Sequence, residues 1–176
     1  MNKIILILSL LINLNVYAKT GNITGLDIPR FVSLKSNEAN LRVGPSINYP
    51  IKLKYVKENF PVEIIEEFDV WRKIKDYEDN IGWLHESLIV GERFILTGVK
   101  NNNNTNIYNR PQGEVIGIIK KNNILNLKRC LLKWCLSYND NVNGWLSKND
   151  IWGVYEEEIY NQNFYQPIIN QHWKIL

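Results

Sequence analysis

"WRKIKDYEDNIGWLHESLI" (71–89) decides the fold once it is set beside "WCLSYNDNVNGWLSKNDIWG" (134–153). Each stretch opens on Trp and runs through a few strand-forming residues. Each then passes a polar Asp/Asn turn and re-enters a strand at Gly-Trp-Leu. Trp71 and Trp83 lie 12 positions apart, Trp134 and Trp145 lie 11 apart. Upstream, Asn40-Leu41-Arg42 with Pro45 is echoed by Asn106-Ile107-Tyr108 with Pro111, and "PVEIIEEF" (61–68) by "ILNLKRCL" (124–131). The offset between copies falls from 66 at the front to 62 at Gly82 and Gly144, so the second copy is slightly shorter. Self-similarity that keeps turn, strand, Trp, turn and Gly-Trp in order implies two units built on one plan.

Outside the repeat the same grammar holds. Apolar residues rarely recur at helical spacing, and short β-rich runs such as "FVSL", "RFILTGV" and "EVIGIIK" are punctuated by Gly, Pro, Asn and Asp. The reading is all-β. In "NEANLRVGPS" (37–46) a strand breaks at once on Gly44-Pro45-Ser46, where Gly44 frees the backbone and Pro45 removes a ladder donor. The break is expected to open a long loop, 45–60, before Pro61-Val62-Glu63-Ile64 resumes pairing. Gly82 and Gly144, each just before a Trp, suit a close backbone approach or a sharp bend.

The string "NLRVGPSINYPI…VEII…WRKI…GWLHESLI" resembles a bacterial SH3 domain, and the whole chain is similar to the tandem bacterial SH3-like proteins exported by alphaproteobacteria. The first copy matches closely. The second reads Tyr108-Asn109-Arg110-Pro111-Gln112-Gly113 where the first has Arg-x-Gly-Pro-Ser, and is the weaker match. The resemblance implies two small, strongly bent SH3-like barrels in tandem. The expected division is a signal peptide at 1–18, a linker at 19–29, a first domain at 30–96, a linker at 97–103, a second domain at 104–155 and a tail at 156–176.

Lys3, the apolar run "IILILSLLINL" and the small residues of Val16-Tyr17-Ala18 have the form of a cleaved secretory leader. An uncleaved anchor is the alternative, but the run is short of the ~20 residues a bilayer requires. No later stretch is apolar and long enough to span a membrane. The expected product is exported, periplasmic or secreted. Without Lys3 the chain carries 20 basic and 18 acidic residues, too even a balance to suggest nucleic acid as partner.

Cys130 and Cys135 flank Leu131-Leu132-Lys133-Trp134 and face each other if those four residues turn a hairpin. In an exported chain with two cysteines a disulfide is expected. A redox pair is the other reading, disfavoured because the spacing is not Cys-x-x-Cys. His85 and His172 are the only histidines. With no phosphate loop, nucleophile elbow or metal-ligand spacing, neither catalytic residues nor a metal or other cofactor are assigned.

The aromatic residues are the better candidates. Strand parity places Trp71 with Lys73, opposite Arg72 and Ile74, so Trp71 is read as half-exposed. Tyr49, Tyr55, Tyr77 and Trp83 are expected to surround it as a ligand groove. Tyr108, Trp134, Tyr138 and Trp145 are the equivalents in the second copy. For Trp83 and Trp145 a core-filling role is the favoured reading, since each follows a Gly suited to close packing, and for Trp71 a core-filling role stands as the alternative. The resemblance implies a non-catalytic binding module of the cell envelope whose partner is a peptide, peptidoglycan or an envelope protein. A pair of barrels that scaffolds a protein partner is the alternative, and a cell-wall hydrolase a more distant one.

Overall fold

The structure is a computed structural model that describes residues 19–161; the expected leader and the tail beyond 161 lie outside the described residues. Strands β1 (Lys19–Thr20) and β2 (Asp27–Ile28) form a short hairpin. There follow β3 (Arg30–Leu34), β4 (Ala39–Arg42), β5 (Ile51–Tyr55), β6 (Pro61–Phe68), β7 (Trp71–Lys75), β8 (Ile81–His85) and β9 (Ile89–Val90). These make one antiparallel sheet in the order β5-β4-β8-β7-β6-β3-β9. The remainder are β10 (Phe94–Thr97), β11 (Thr105–Tyr108), β12 (Val115–Ile119), β13 (Ile124–Cys130), β14 (Trp134–Tyr138), β15 (Asn143–Ser147) and β16 (Ile151–Trp152). Their order is β12-β11-β15-β14-β13-β10-β16, the same plan strand for strand. The chain is all-β, with two SH3-like sheets that share no strand.

Period-two alternation builds a separate core inside each sheet. Leu34, Leu41, Val62, Ile64, Ile74 and Leu84 fill the first. Ile95, Ile107, Leu125, Leu127, Leu146 and Ile151 fill the second. Even the irregularities repeat. A register shift follows Leu41 in the first sheet and Ile107 in the second, and another lies between Ile64 and Glu66 and between Leu127 and Arg129. A Cβ on Gly82 would lie 2.7 Å from the Arg42 carbonyl oxygen, and one on Gly144 2.6 Å from Ile107 Cγ1. Both glycines therefore stand at close approaches between strands.

One position departs from the shared plan in an instructive way. Glu67 opposes Arg72 and Arg72 opposes Leu84; in the second sheet Cys130 opposes Cys135 and Cys135 opposes Leu146. The disulfide Cys130–Cys135, wholly buried, thus occupies the place of a buried ion pair. Each fastens a neighbouring segment. Glu67 accepts hydrogen bonds from Ile23 N, Thr24 N, Thr24 Oγ1 and Arg30 Nη2, while Cys130 exchanges backbone bonds with Tyr160.

Three expectations need correction. Residues 19–29 are no free linker: the β1–β2 hairpin is clamped on Glu67. Residues 45–60 contain β5, because Ile51, Leu53 and Tyr55 alternate with Lys52 and Lys54 and pair with β4. Residues 94–97 begin the second sheet, so the expected linker 97–103 starts on the last residue of β10 and runs into the loop toward β11, inside the second barrel. The junction is Gly91–Arg93 instead.

The barrels meet through side chains of both. Phe31 packs edge-on to Trp152 at 5.2 Å and against Tyr155 at 4.7 Å. Tyr155 Oη donates to Glu63 at 2.9 Å, and Arg93 joins Glu158 at 2.9 Å while donating to the Gly153 carbonyl at 2.7 Å. Burial, then the Glu63 charge, pushes the Tyr155 hydroxyl well above its ordinary range.

Candidate functional site

The outer face of each sheet carries a row of five residues across five strands, centred on Trp. Directly opposed residues of neighbouring strands share a face. Ile51 opposes Arg42, Arg42 opposes Trp83, Trp83 opposes Lys73 and Lys73 opposes Glu66. In the second sheet the row runs Val115, Tyr108, Trp145, Leu136, Arg129. Both register shifts lie within the row, and only because of them do the flanking residues line up with the Trp.

Trp83 is 9% exposed yet lies on the outer face, between inward-facing Gly82 and Leu84. Lys73 Nζ sits 5.7 Å from its ring centroid and Phe68 stands edge-on at 6.5 Å. Lys73 also pairs with Glu66 at 2.9 Å. Arg42 donates to the Tyr49 carbonyl at 2.7 Å, which holds the Gly44–Tyr49 turn beside the row. Gly44 and Pro45 shape that turn: Ser46 N donates to the Gly44 carbonyl, and the Tyr49 ring lies so close over Gly44 that a Cβ there would stand 2.7 Å from it. Tyr49, Ile47, Ile51 and Phe68 are exposed around this face. In the second barrel Arg129 lies 5.0 Å from the Trp145 ring, and Tyr108 stands edge-on to Trp134 at 5.0 Å.

The expected groove is thus only partly assembled. Trp71 is not half-exposed; it is buried, edge-on to His85 at 5.5 Å, because Phe68 and His85 oppose it on either side. Tyr55 is buried and donates to Asp76 at 2.9 Å, and burial followed by the Asp76 charge raises its hydroxyl pKa. Asp76 accepts in turn from Glu78 N and Asn80 N, closing the β7–β8 turn. Tyr77 packs on Phe60, and burial with its bond to Glu78 pushes its pKa up to about 12. Tyr55, Phe60 and Tyr77 therefore form a cluster separate from Trp83. Tyr49 and Trp83 remain on the candidate face. In the second copy Tyr138 is exposed beside Asn126 and Asn143, Trp134 and Tyr108 are half-buried, and Trp145 is buried. Neither Trp83 nor Trp145 belongs to a core cluster. The sequence reading missed Arg42, Glu66 and Phe68; cross-strand register, invisible in one sequence, was the signal required.

His85 accepts from Ser87 N through Nδ1 and caps the short 3-10 turn Glu86–Leu88, as Ser147 caps Lys148–Asp150. That is a structural task. Among the described residues no group of His, Cys, Asp and Glu side chains is placed to hold a metal ion. Among them, too, no helix is long and apolar enough to cross a membrane.

Residues 35–91 match the bacterial SH3 domain family. The match covers the first barrel from the residue after β3 to the residue after β9. The second barrel has the same strand order and row and lies outside the match. No curated protein matches the chain. Two solved structures from Trichomonas vaginalis, NlpC1 and NlpC2, are similar at 10% identity and a TM-score of 0.33. They cover 78% and 74% of this chain, which spans 50% of each of them. So distant a likeness carries no inference about activity.

Proposed function

We propose that the chain is an exported, non-catalytic binding protein of the cell envelope. Its first SH3 domain holds an extended peptide, cell-wall peptide or a segment of an envelope protein, across the face around Trp83. The observation that carries this reading is the row Ile51, Arg42, Trp83, Lys73, Glu66, with Tyr49 and Phe68 exposed beside it. Aromatic and apolar surface fringed by charges of both signs is what small barrels use to grip extended peptides. The disulfide and the leader-like start both favour an oxidising compartment outside the cytoplasm. No catalytic step and no cofactor enter the proposal.

The test is retention on purified peptidoglycan, comparing the chain with Tyr49→Ala and Phe68→Ala variants. Both side chains are exposed, so the variants keep their fold while losing contact area. Retention that falls in both variants supports the reading. Equal retention of all three chains overturns the Trp83 face, and no retention of the parent chain moves the ligand to an envelope protein.

The contact of Phe31 with Trp152 and Tyr155 favours a second reading alongside it, in which the second barrel also braces the first.

A further inference from the structure

At one matched place on their outer faces the two sheets carry opposite charge. Glu66 opposes Lys73 in the first sheet, and Arg129 opposes Leu136 in the second. Lys73 neutralises Glu66 at 2.9 Å. Arg129 has no such partner, since it enters no ion pair among the described residues. Its Nε is buried with no acceptor among them, whereas its two Nη groups are not buried. The guanidinium reaches across β14 and lies 5.0 Å from the centre of the Trp145 ring. A cation partly withdrawn from water and left without a counter-charge attracts anions more strongly than a fully solvated one. The fold itself does not ask for a cation here, because the first barrel holds a carboxylate at the same position.

Around that guanidinium the face is apolar. Tyr108 and Leu136 flank Trp145, and Trp134 lies on the same face of β14 as Leu136, edge-on to Tyr108 at 5.0 Å. Arg129 is the one charge in the row, which holds no carboxylate. The two Nη groups of an arginine meet a carboxylate with two parallel hydrogen bonds. A carboxylate also brings a single charge joined directly to a carbon skeleton, as one cation on an apolar bed requires; phosphate, more highly charged and more strongly hydrated, calls for several cations. We propose that the second barrel has its own anion site, in which Arg129 takes a peptide carboxylate while the adjoining apolar side chain lies on Leu136, Trp134 and Tyr108. The site belongs to the other barrel from Trp83 and stands whatever the Trp83 face binds.

Titration of the full chain with N-acetyl-alanyl-leucine tests it, followed by nitrogen–proton correlation NMR of the Arg129 Nε–H and the Trp145 indole N–H. Both signals are expected to move and saturate. The same dipeptide as its terminal amide should bind about tenfold more weakly, the loss of a charge-assisted hydrogen-bonded pair. N-acetyl-aspartyl-leucine amide separates the sources: binding as tight as the free acid assigns the site to an acidic side chain, weaker binding to a chain end. Arg129→Gln should abolish the Trp145 shift. So should R129E/L136K, which copies the Glu66–Lys73 pair of the first barrel and so keeps the face internally neutral. Tyr49→Ala, in the first barrel, should leave the titration unchanged. Tryptophan fluorescence of each variant checks that the fold is kept. Equal binding of acid and amide, an undiminished Trp145 shift in Arg129→Gln, or sodium phosphate at equal ionic strength moving both signals as far as the peptide overturns the proposal.

Discussion

Glu67→Gln is expected to cost the first barrel about 3 kcal/mol, the range for removing one partner of a buried ion pair. The Glu67 side chain is fully buried and its carboxylate receives four hydrogen bonds: Ile23 N at 3.1 Å, Thr24 N at 3.0 Å, and Thr24 Oγ1 and Arg30 Nη2, each at 2.7 Å. Arg72 Nε lies 3.9 Å from the same oxygen that binds Arg30. Glutamine keeps the shape but exchanges one accepting oxygen for a donor. It leaves the buried Arg72 and the half-buried Arg30 without that charge, and Arg72 with Glu86 alone. Desolvation works against the carboxylate, but the bonds from Thr24, Arg30 and Ile23 outweigh it and lower its pKa from 4.5 to about 2. A carboxyl depressed in this way stabilises the fold fully above its unfolded pKa. Its contribution drains away as pH falls from about 4.5 toward 2. Urea unfolding followed by tryptophan fluorescence at several pH values reads the cost. Hydrogen exchange of residues 19–29 reads release of the β1–β2 hairpin. If the variant unfolds within about 0.5 kcal/mol of the parent above pH 5, or both lose stability equally in acid, Glu67 is not the clamp described.

Three further perturbations follow from the same geometry. Replacing Cys130 and Cys135 together by serine opens a short loop and should cost the second barrel about 2 kcal/mol on the chain-entropy account, read by urea unfolding with and without reductant. Gly82→Ala brings a methyl to within 2.7 Å of the Arg42 carbonyl, backbone that cannot swing aside, and should lower stability by about 2 kcal/mol in a thermal melt. Tyr155→Phe removes the hydroxyl that reaches Glu63 from the other barrel. It should cost about 1–2 kcal/mol and separate the unfolding transitions of the barrels; a single unchanged transition would mean this bond does not couple them.

The doubled plan was readable because it rests on local chemistry. Trp, Asp/Asn turn and Gly-Trp recur in order, and Gly82 and Gly144 stand where strands crowd. The pairing of Cys130 with Cys135 was equally readable, since a short hairpin brings them together whatever surrounds it. β5 was obscured by its neighbours: Gly44-Pro45-Ser46 announced a loop, and the alternation of "IKLKY" was passed over. The groove failed for a less local reason. Parity assigns a residue to one of two faces, but exposure depends on what lies across the strand. Trp71 has Phe68 and His85 on either side and is covered. A register shift after Leu41, and another before Glu66, decide that Arg42 and Glu66 line up with Trp83. Bulges of this kind re-aim side chains and leave no mark in a single sequence.

Two barrels on one plan make the substitutions between them a natural experiment. Where the inward positions differ, the exchange keeps burial and changes the fastening: the ion pair of Glu67 and Arg72 becomes the disulfide of Cys130 and Cys135. Where the outward positions differ, the exchange changes what the face presents. Arg42, Lys52, Lys54 and Lys73 in the first barrel correspond to Tyr108, Ile116, Ile118 and Leu136 in the second. Four cations are lost on one face and its edge, with no gain to the core, since core positions alternate with these. A bracing role for the second barrel requires only the Phe31, Trp152 and Tyr155 contact, and leaves an apolar outer face unexplained. Exposed apolar residues gathered at an unguarded strand edge are a liability in a chain that remains alone. The two barrels therefore present different outer surfaces, charged around Trp83 in the first and more apolar around Trp145 and along β12 in the second.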